Sequence, residues 1–409
     1  MARPLQRCAI FSLKDVHMKP VWALLALAVG AFGIGTTEFS PMGLLPVIST
    51  GIGVSIPTAG MLITAYALGV MIGAPLMTLA LSRFPMKRSL ILLMGIFVIG
   101  NLLSAVAMGY WTLLAARVIT SMSHGAFFGL GSVLAASLVP QDKRASAVAT
   151  MFMGLTIANI GGVPAATWIG QQIGWRMAFA ATAVLGLLAI AALAFSLPAG
   201  QAGERPNVRR ELKVLTRPAV LMSMATTVMG AGAMFTLYTY VAPVLATLTG
   251  ASAAFITLCL VLIGLGFTIG NSVGGRLADW SLDGAAKLFL GLLALTMFVL
   301  PLLLASHIGA AVGLLLWGLV TFAIVPPVQI RVMQAAADAP GLASSVNVGA
   351  FNLGNAVGAA LGGGVLAAGW SYAAVPVAGG LLALGGLMLV FAGQARKPML
   401  QRTAPDHSV

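Results

Sequence analysis

Along this chain, stretches of apolar residues alternate with short polar intervals from one end to the other. About 20 apolar residues in α-helical form span a hydrocarbon core of roughly 30 Å. Twelve such stretches predict twelve transmembrane helices, at about 21–45, 58–81, 89–108, 111–138, 146–169, 177–197, 219–245, 251–274, 286–305, 309–330, 342–368 and 372–393. The longest polar interval, 198–218, is rich in Pro, Gly and charge and reads as a linker. The pattern divides the chain into a tail (1–20), a six-helix bundle (21–197), the linker (198–218), a second six-helix bundle (219–393) and a tail (394–409). Nothing is left over to fold as an aqueous domain, so the predicted class is an all-α membrane protein. Six plus six spans suggests an internal repeat, and parallel six-span repeats place a substrate site between the halves near the midplane.

Composition agrees with the pattern: 59% of residues are hydrophobic and only 8% charged, against about a quarter charged in soluble proteins. A net charge of +13 would suggest nucleic acid in a soluble chain. Its distribution gives another cause. If the spans simply alternate, 20 of the 22 Lys and Arg fall on one face, which the positive-inside rule makes cytoplasmic, with both termini inside. The exceptions are Arg117, within the fourth span, and Arg176, just outside the fifth. The charge therefore answers to the bilayer, and nucleic acid is not a partner. Cys8 and Cys259 are too few and too scattered for a disulfide framework or a metal site. The first apolar run is too long for a signal peptide. Met18 offers a second reasonable start, which would make residues 1–17 a dispensable extension.

Nine acidic residues are present, and eight of them fall between apolar runs or in the tails. The ninth, Glu38, lies in the first run, in Gly-Ile-Gly-Thr-Thr-Glu-Phe-Ser (33–40). An ionisable group inside a bilayer costs a few kcal/mol or more, so a functional role is its default reading. With the first span starting near Trp22, Glu38 lies about 24 Å along it, toward the outer end. Pro41 and Pro46 follow, so a second reading has Glu38 merely ending the span at the outer interface. Arg117 lies about 9 Å below the outer surface on the fourth span, and His124, two turns further on the same face, about 20 Å below it. Histidine titrates near neutral pH and suits a proton relay; a neutral His bonded to a carbonyl is the alternative.

Several motifs resemble the major facilitator superfamily. Gly275-Arg276-Leu277-Ala278-Asp279 looks like its cytoplasmic-loop motif, and the first-half copy keeps Arg83 but has Thr78 for the Gly and Ser82 for the Asp. Leu113-x-x-x-Arg117 and Gly174-Trp175-Arg176-x-x-Phe179 match its fourth span and its fifth-to-sixth junction. Thr36-Thr37-Glu38-Phe39, Ser123 to Phe128 and Phe351 to Ala356 resemble arabinose- or sugar-efflux-permease-like members of the twelve-span drug:proton antiporter branch. Gly161-Gly162-Val163-Pro164 resembles a degenerate antiporter motif; its plainer reading is packing and a kink at Pro164.

The resemblance implies two pseudo-symmetric bundles and a cavity lined by the first and fourth spans, which would bring Glu38 beside Arg117. Burial and a neighbouring guanidinium pull a carboxyl's proton affinity in opposite directions, so a change in that contact would let Glu38 exchange a proton. Glu38, Arg117 and His124 are the expected proton-coupling residues. Asp279, through a helix terminus and basic contacts, with Arg276 and Arg83, is expected to serve a cytoplasmic gate. Because Ser82 replaces the first-half Asp, that gate should be asymmetric. Tyr238, Tyr240, Trp317, Asn352 and Asn355 are candidate substrate contacts, although Tyr and Trp also anchor spans at the interface. Gly354, Gly358 and Gly362 repeat every four residues, as close helix packing requires.

The resulting expectation is a monomeric, proton-coupled efflux transporter of the bacterial inner membrane. It would work by alternating access on sugars or drug-like compounds, with a part in drug resistance. The proton gradient supplies the energy and no cofactor or metal is expected. Paired acids, metal ligands and a nucleophile with a base are all missing, which argues against an enzyme. An uncoupled facilitator and a membrane sensor with a transporter-like fold are the alternatives.

Overall fold

The computed structural model describes residues 20–54, 56–198 and 208–402. The N-terminal Arg3, Arg7, Lys14 and Lys19, with Cys8, Met18 and Arg205 of the central interval, lie outside the described residues. Twelve helices long and apolar enough to cross a membrane are found among those described. The first half contains α1 (Pro20–Ile52), α2 (Ile56–Leu81), α3 (Met86–Ala105) and α4 (Tyr110–Ser137). Its fifth span joins α5 (Arg144–Ile157), a π-helical turn (Ala158–Gly162) and α6 (Val163–Gln172), and α7 (Trp175–Ser196) is the sixth. A short helix, α8 (Val208–Leu215), occupies part of the expected linker, with Val214 buried among Val220, Val332 and Ala343. The second half contains α9 (Pro218–Tyr238) with its continuation α10 (Val241–Leu248), α11 (Ala253–Trp280) and α12 (Leu282–Leu303). It continues with the paired α13 (His307–Ala323) and α14 (Val325–Ala335), then α15 (Pro340–Ala367) and α16 (Ala374–Arg402).

The breaks have local causes. Pro326 and Pro327 open α14 and carry no N–H, so the preceding turn loses its donors and α13 ends. Pro164 likewise withdraws the donor for the Ile160 carbonyl, and the chain answers with the wide π turn just before it. In α1 the helix runs through both Pro41 and Pro46. At 33 residues it is far longer than the apolar run alone suggested. Glu38 therefore lies near the middle of a helix and not at the outer end expected for it.

Small residues set the closest approaches. The Gly354, Gly358 and Gly362 row packs α15 on α9; a Cβ at Gly358 would collide with the Gly232 carbonyl. Gly266, Gly270 and Gly274 form a second such row on α11, lying against the Leu315, Leu319 and Ala323 carbonyls of α13. Between the halves, α5 meets α11, and α15 meets both α2 and α4.

Candidate functional site

A cavity of about 40 Å³ lies between the halves, walled by Glu38, Phe39, His124 and Phe128 on one side and by Gln329, Asn347, Phe351 and Asn352 on the other. The cavity in this state is nearly shut.

On the first-half wall the geometry starts from Pro41. Lacking an N–H, it leaves the Thr37 carbonyl, four residues back, without its helical partner. Arg117 of α4 takes that place: its Nη2 donates to the Thr37 carbonyl at 3.0 Å and its Nη1 to Thr37 Oγ1 at 3.2 Å. The Thr37 hydroxyl in turn donates to Asn101 Oδ1 at 2.7 Å. Arg117 is 1% exposed, and its guanidinium lies 4.3 Å from the centre of the Tyr66 ring. The expected Glu38–Arg117 pairing is not a direct contact: Arg117 acts on the Glu38 carboxyl only through space, and its hydrogen bonds hold the residue before Glu38, by a carbonyl that the proline released. The side chain that faces the Glu38 carboxyl is His124, with Nε2 3.9 Å away. Tyr66 Oη lies 3.3 Å from His124 Nδ1. When the phenol donates to Nδ1, a neutral His124 keeps its hydrogen on Nε2, facing Glu38. The arrangement is a carboxyl, an imidazole and a phenol in sequence, in reach of the cavity. Tyr66 and Asn101 were not singled out from sequence; their polar groups inside apolar spans were the available signal.

The second-half wall is uncharged. Asn352 lines the cavity and donates to the Val348 carbonyl at 3.0 Å. The other expected substrate contacts lie elsewhere. Tyr240 donates its hydroxyl to the Ala359 carbonyl at 2.9 Å, clamping the C-terminal half of α15. Trp317 is 0% exposed and stacks on Tyr238, with ring centres 6.3 Å apart, as packing behind the wall. Asn355, one turn from Asn352, is half-buried outside the cavity wall, with its Oδ1 buried. Gln329 and Asn347, neither of them singled out from sequence, are the polar groups that reach the cavity instead.

Toward the face that carries most basic residues, hydrogen bonds join the halves. Asp279, near the end of α11, accepts from the Ala145 and Ser146 backbone N–H groups at 2.7 and 3.0 Å, in the first turn of α5. These otherwise unpartnered N–H groups and the helix dipole favour an anion there. Two turns deeper, Asn271 Nδ2 donates to the Ala149 carbonyl at 2.6 Å. At the pseudo-symmetric junction of α2 and α15 the Thr78 hydroxyl donates to Ser345 Oγ at 2.7 Å, with no acid involved. The junctions differ, as the Ser82 replacement implied. Arg276 and Arg83 are exposed: Arg83 lies over its neighbour Phe84, and neither is seen bridging the halves, against the expected gating role.

Two six-helix halves around a central, nearly closed cavity, bolted at one end, define a multi-pass membrane transporter. The family model for the Major Facilitator Superfamily matches residues 27–358, and the chain belongs to that family. It is 62% identical over 381 residues to the inner membrane transport protein YdhP of Escherichia coli (strain K12), covering 93% of this chain and 98% of that protein. A chloramphenicol resistance protein of Streptomyces lividans is 33% identical over 339 residues, covering 82% of this chain and 86% of that protein. Among solved structures, the proton:xylose symporter XylE bound to 6-bromo-6-deoxy-D-glucose shares the fold, with a TM-score of 0.74 at 16% identity over 91% of this chain and 95% of that one.

Proposed function

We propose that this protein is a proton-coupled exporter of small, largely apolar compounds, working by alternating access in a bacterial inner membrane, with the basic face and both termini cytoplasmic. The observation that carries the reading is Glu38. It sits in the middle of its helix, on the wall of the cavity between the halves, facing a histidine that is itself paired with a tyrosine. A carboxyl there meets protons and substrate in the same space. His124 and Tyr66 provide a path for the proton, and Arg117 anchors the backbone beside Glu38.

Export is supported by the resistance named for the Streptomyces relative. The cavity walls favour a drug-like compound over a sugar: Phe39, Phe128, Phe152, Phe322 and Phe351 line them, with only a few amides. A sugar needs hydrogen-bonding partners for each hydroxyl it loses to water, which aromatic walls do not supply. The basic-face junctions serve as the gate that opens when compound is loaded from the cytoplasm.

Proteoliposomes with an imposed pH gradient test the reading, with chloramphenicol as the probe compound. Wild-type protein should drive proton-dependent chloramphenicol movement, and Glu38→Gln should lose that dependence while retaining downhill exchange. Unchanged proton-driven accumulation in Glu38→Gln removes Glu38 as the coupling site and leaves another proton path; equilibration without accumulation in wild type leaves an uncoupled facilitator.

A further inference from the structure

The cavity floor toward the basic face holds a chain of hydrogen bonds whose directions can be worked out. Ser132 on α4 donates its hydroxyl hydrogen to the Phe128 carbonyl at 2.7 Å, so toward the other half it can only accept. Gln329 Nε2 on α14 lies 2.5 Å from Ser344 Oγ, and 3.4 Å from both Ser132 Oγ and the Ser344 carbonyl. Toward Gln329 the Ser344 carbonyl and the already donating Ser132 hydroxyl can only accept, which sets the Gln329 amide nitrogen on their side and its Oε1 on the other. Asn347 on α15 then must donate, and its Nδ2 lies 2.7 Å from Gln329 Oε1. Turning the Asn347 amide over would press two carbonyl oxygens together; turning Gln329 over would do the same at Ser344.

One acceptor is left over. Asn347 is 2% exposed, it lines the cavity, and its Oδ1 is buried with no hydrogen-bond partner. A buried acceptor without a donor carries its full desolvation cost, so such an atom is a place where a ligand's N–H or O–H gains the most. Around it the cavity offers Val348, Phe351, Phe322 and Phe128. The same side chain is linked through Gln329 to Ser132, so the leftover acceptor is one step from a hydrogen bond that spans the halves.

We propose that Asn347 Oδ1 is the specificity-determining acceptor for the transported compound, which carries an N–H or O–H donor on an aromatic or aliphatic body, and that Gln329 relays its occupation to Ser132 across the gate. This rests on the transport reading above and names its substrate class. A donor that draws Asn347 toward the cavity takes its Nδ2 away from Gln329 Oε1. Gln329 then keeps only its Ser344 contacts within the second half and can turn away from Ser132, and the basic-face end loses one of the bonds that hold it shut. The first half senses the proton at Glu38; the second half senses the compound at Asn347.

The test uses matched pairs of aromatic secondary amides and alcohols with their N- or O-methylated forms, chloramphenicol among the donor-bearing members. Dissociation constants are measured on the purified full-length protein in detergent. Donor-bearing members should bind wild type at least about tenfold tighter than their methylated partners, since a site built around a hydrogen bond rejects the analogue lacking it. The preference should vanish in Asn347→Leu and survive in Asn347→Asp, which keeps an acceptor oxygen, and in Ser132→Ala. Equal binding of both members to wild type, a preference that persists in Asn347→Leu, or no binding by any pair overturns the assignment.

For the relay, spin labels are placed at the exposed positions Asp142 and Ala337 of the basic face, in a Cys8→Ser, Cys259→Ala background. Their separation should increase when a donor-bearing compound is added to the otherwise wild-type chain, and should already be larger without compound in Ser132→Ala. A separation indifferent to the compound removes the relay. Proton-driven flux is measured in parallel: donor preference without it keeps this assignment and removes the coupling, while flux without donor preference does the reverse.

Discussion

The first half brings Glu38 and His124 to the central cavity, backed by Tyr66 and Arg117, whereas the second half meets the same cavity with Gln329, Asn347, Asn352 and aromatic rings. The basic-face end inverts this division. At the α5–α11 junction the second half supplies the carboxylate, Asp279, and the first half offers only backbone N–H groups. At the α2–α15 junction two hydroxyls meet. Two halves of one architecture have taken different duties, with ionisable chemistry at depth in one and the strong end-clasp in the other. Asp279, at a helix end, costs less to keep charged than an acid at depth, because two N–H donors and a dipole receive it.

The comparison can be broken most severely at Arg117. Arg117→Met leaves the Thr37 carbonyl bare and removes the hub of the first-half wall, so a loss of about 3 kcal/mol in stability is expected. Thermal unfolding in detergent reads it, together with loss of chloramphenicol flux. A variant of near wild-type stability would mean that Arg117 serves coupling alone. Asp279→Asn comes next, costing about 2 kcal/mol of charge-assisted hydrogen bonding. That is about a 30-fold shift toward an open basic face, visible as a longer distance between the Asp142 and Ala337 labels.

Gly358→Ala should cost about 1–3 kcal/mol by overpacking α15 on α9, because the obstacle is the Gly232 backbone. Gly264→Ala, whose new Cβ would lie 2.8 Å from the movable Ile160 side chain between the halves, should cost less. Equal losses would contradict the picture of rigid packing within halves and yielding contact between them. The smallest effect is expected for Thr78→Val. Removing one neutral hydrogen bond is worth about 1 kcal/mol, a fewfold shift in the label distances. If Thr78→Val lengthens the label distance as far as Asp279→Asn does, the asymmetry of the two junctions has no energetic consequence.

How far the chain could be read in advance follows from how local each signal is. The apolar periods gave twelve spans because the bilayer demands length and apolarity from each segment separately. Asp279 was expected from its motif to act through a helix terminus and basic contacts; in the structure it meets the α5 N-terminus, and the Arg276 and Arg83 expected beside it are exposed. The outer end assigned to Glu38 failed because the end of an apolar run was taken for the end of a helix, whereas α1 continues through Pro41 and Pro46. Tyr240 and Trp317 were singled out as large polar aromatics, and both have partners that lie far away in the chain. Gln329 and Asn347 passed unnoticed because an isolated amide in a span looks the same whether it is satisfied or left over.

Sequence alone determined the number of spans, the face that holds the basic residues and the isolation of Glu38 among the membrane segments. These depend on what each residue costs in lipid, a property it carries by itself. Only the tertiary structure decided that Arg117 binds the carbonyl released by Pro41, that His124 faces Glu38, and that Asn347 keeps an oxygen without a donor. Those are pairings between helices, and hydrogen bonds depend on distance and direction that no single segment contains.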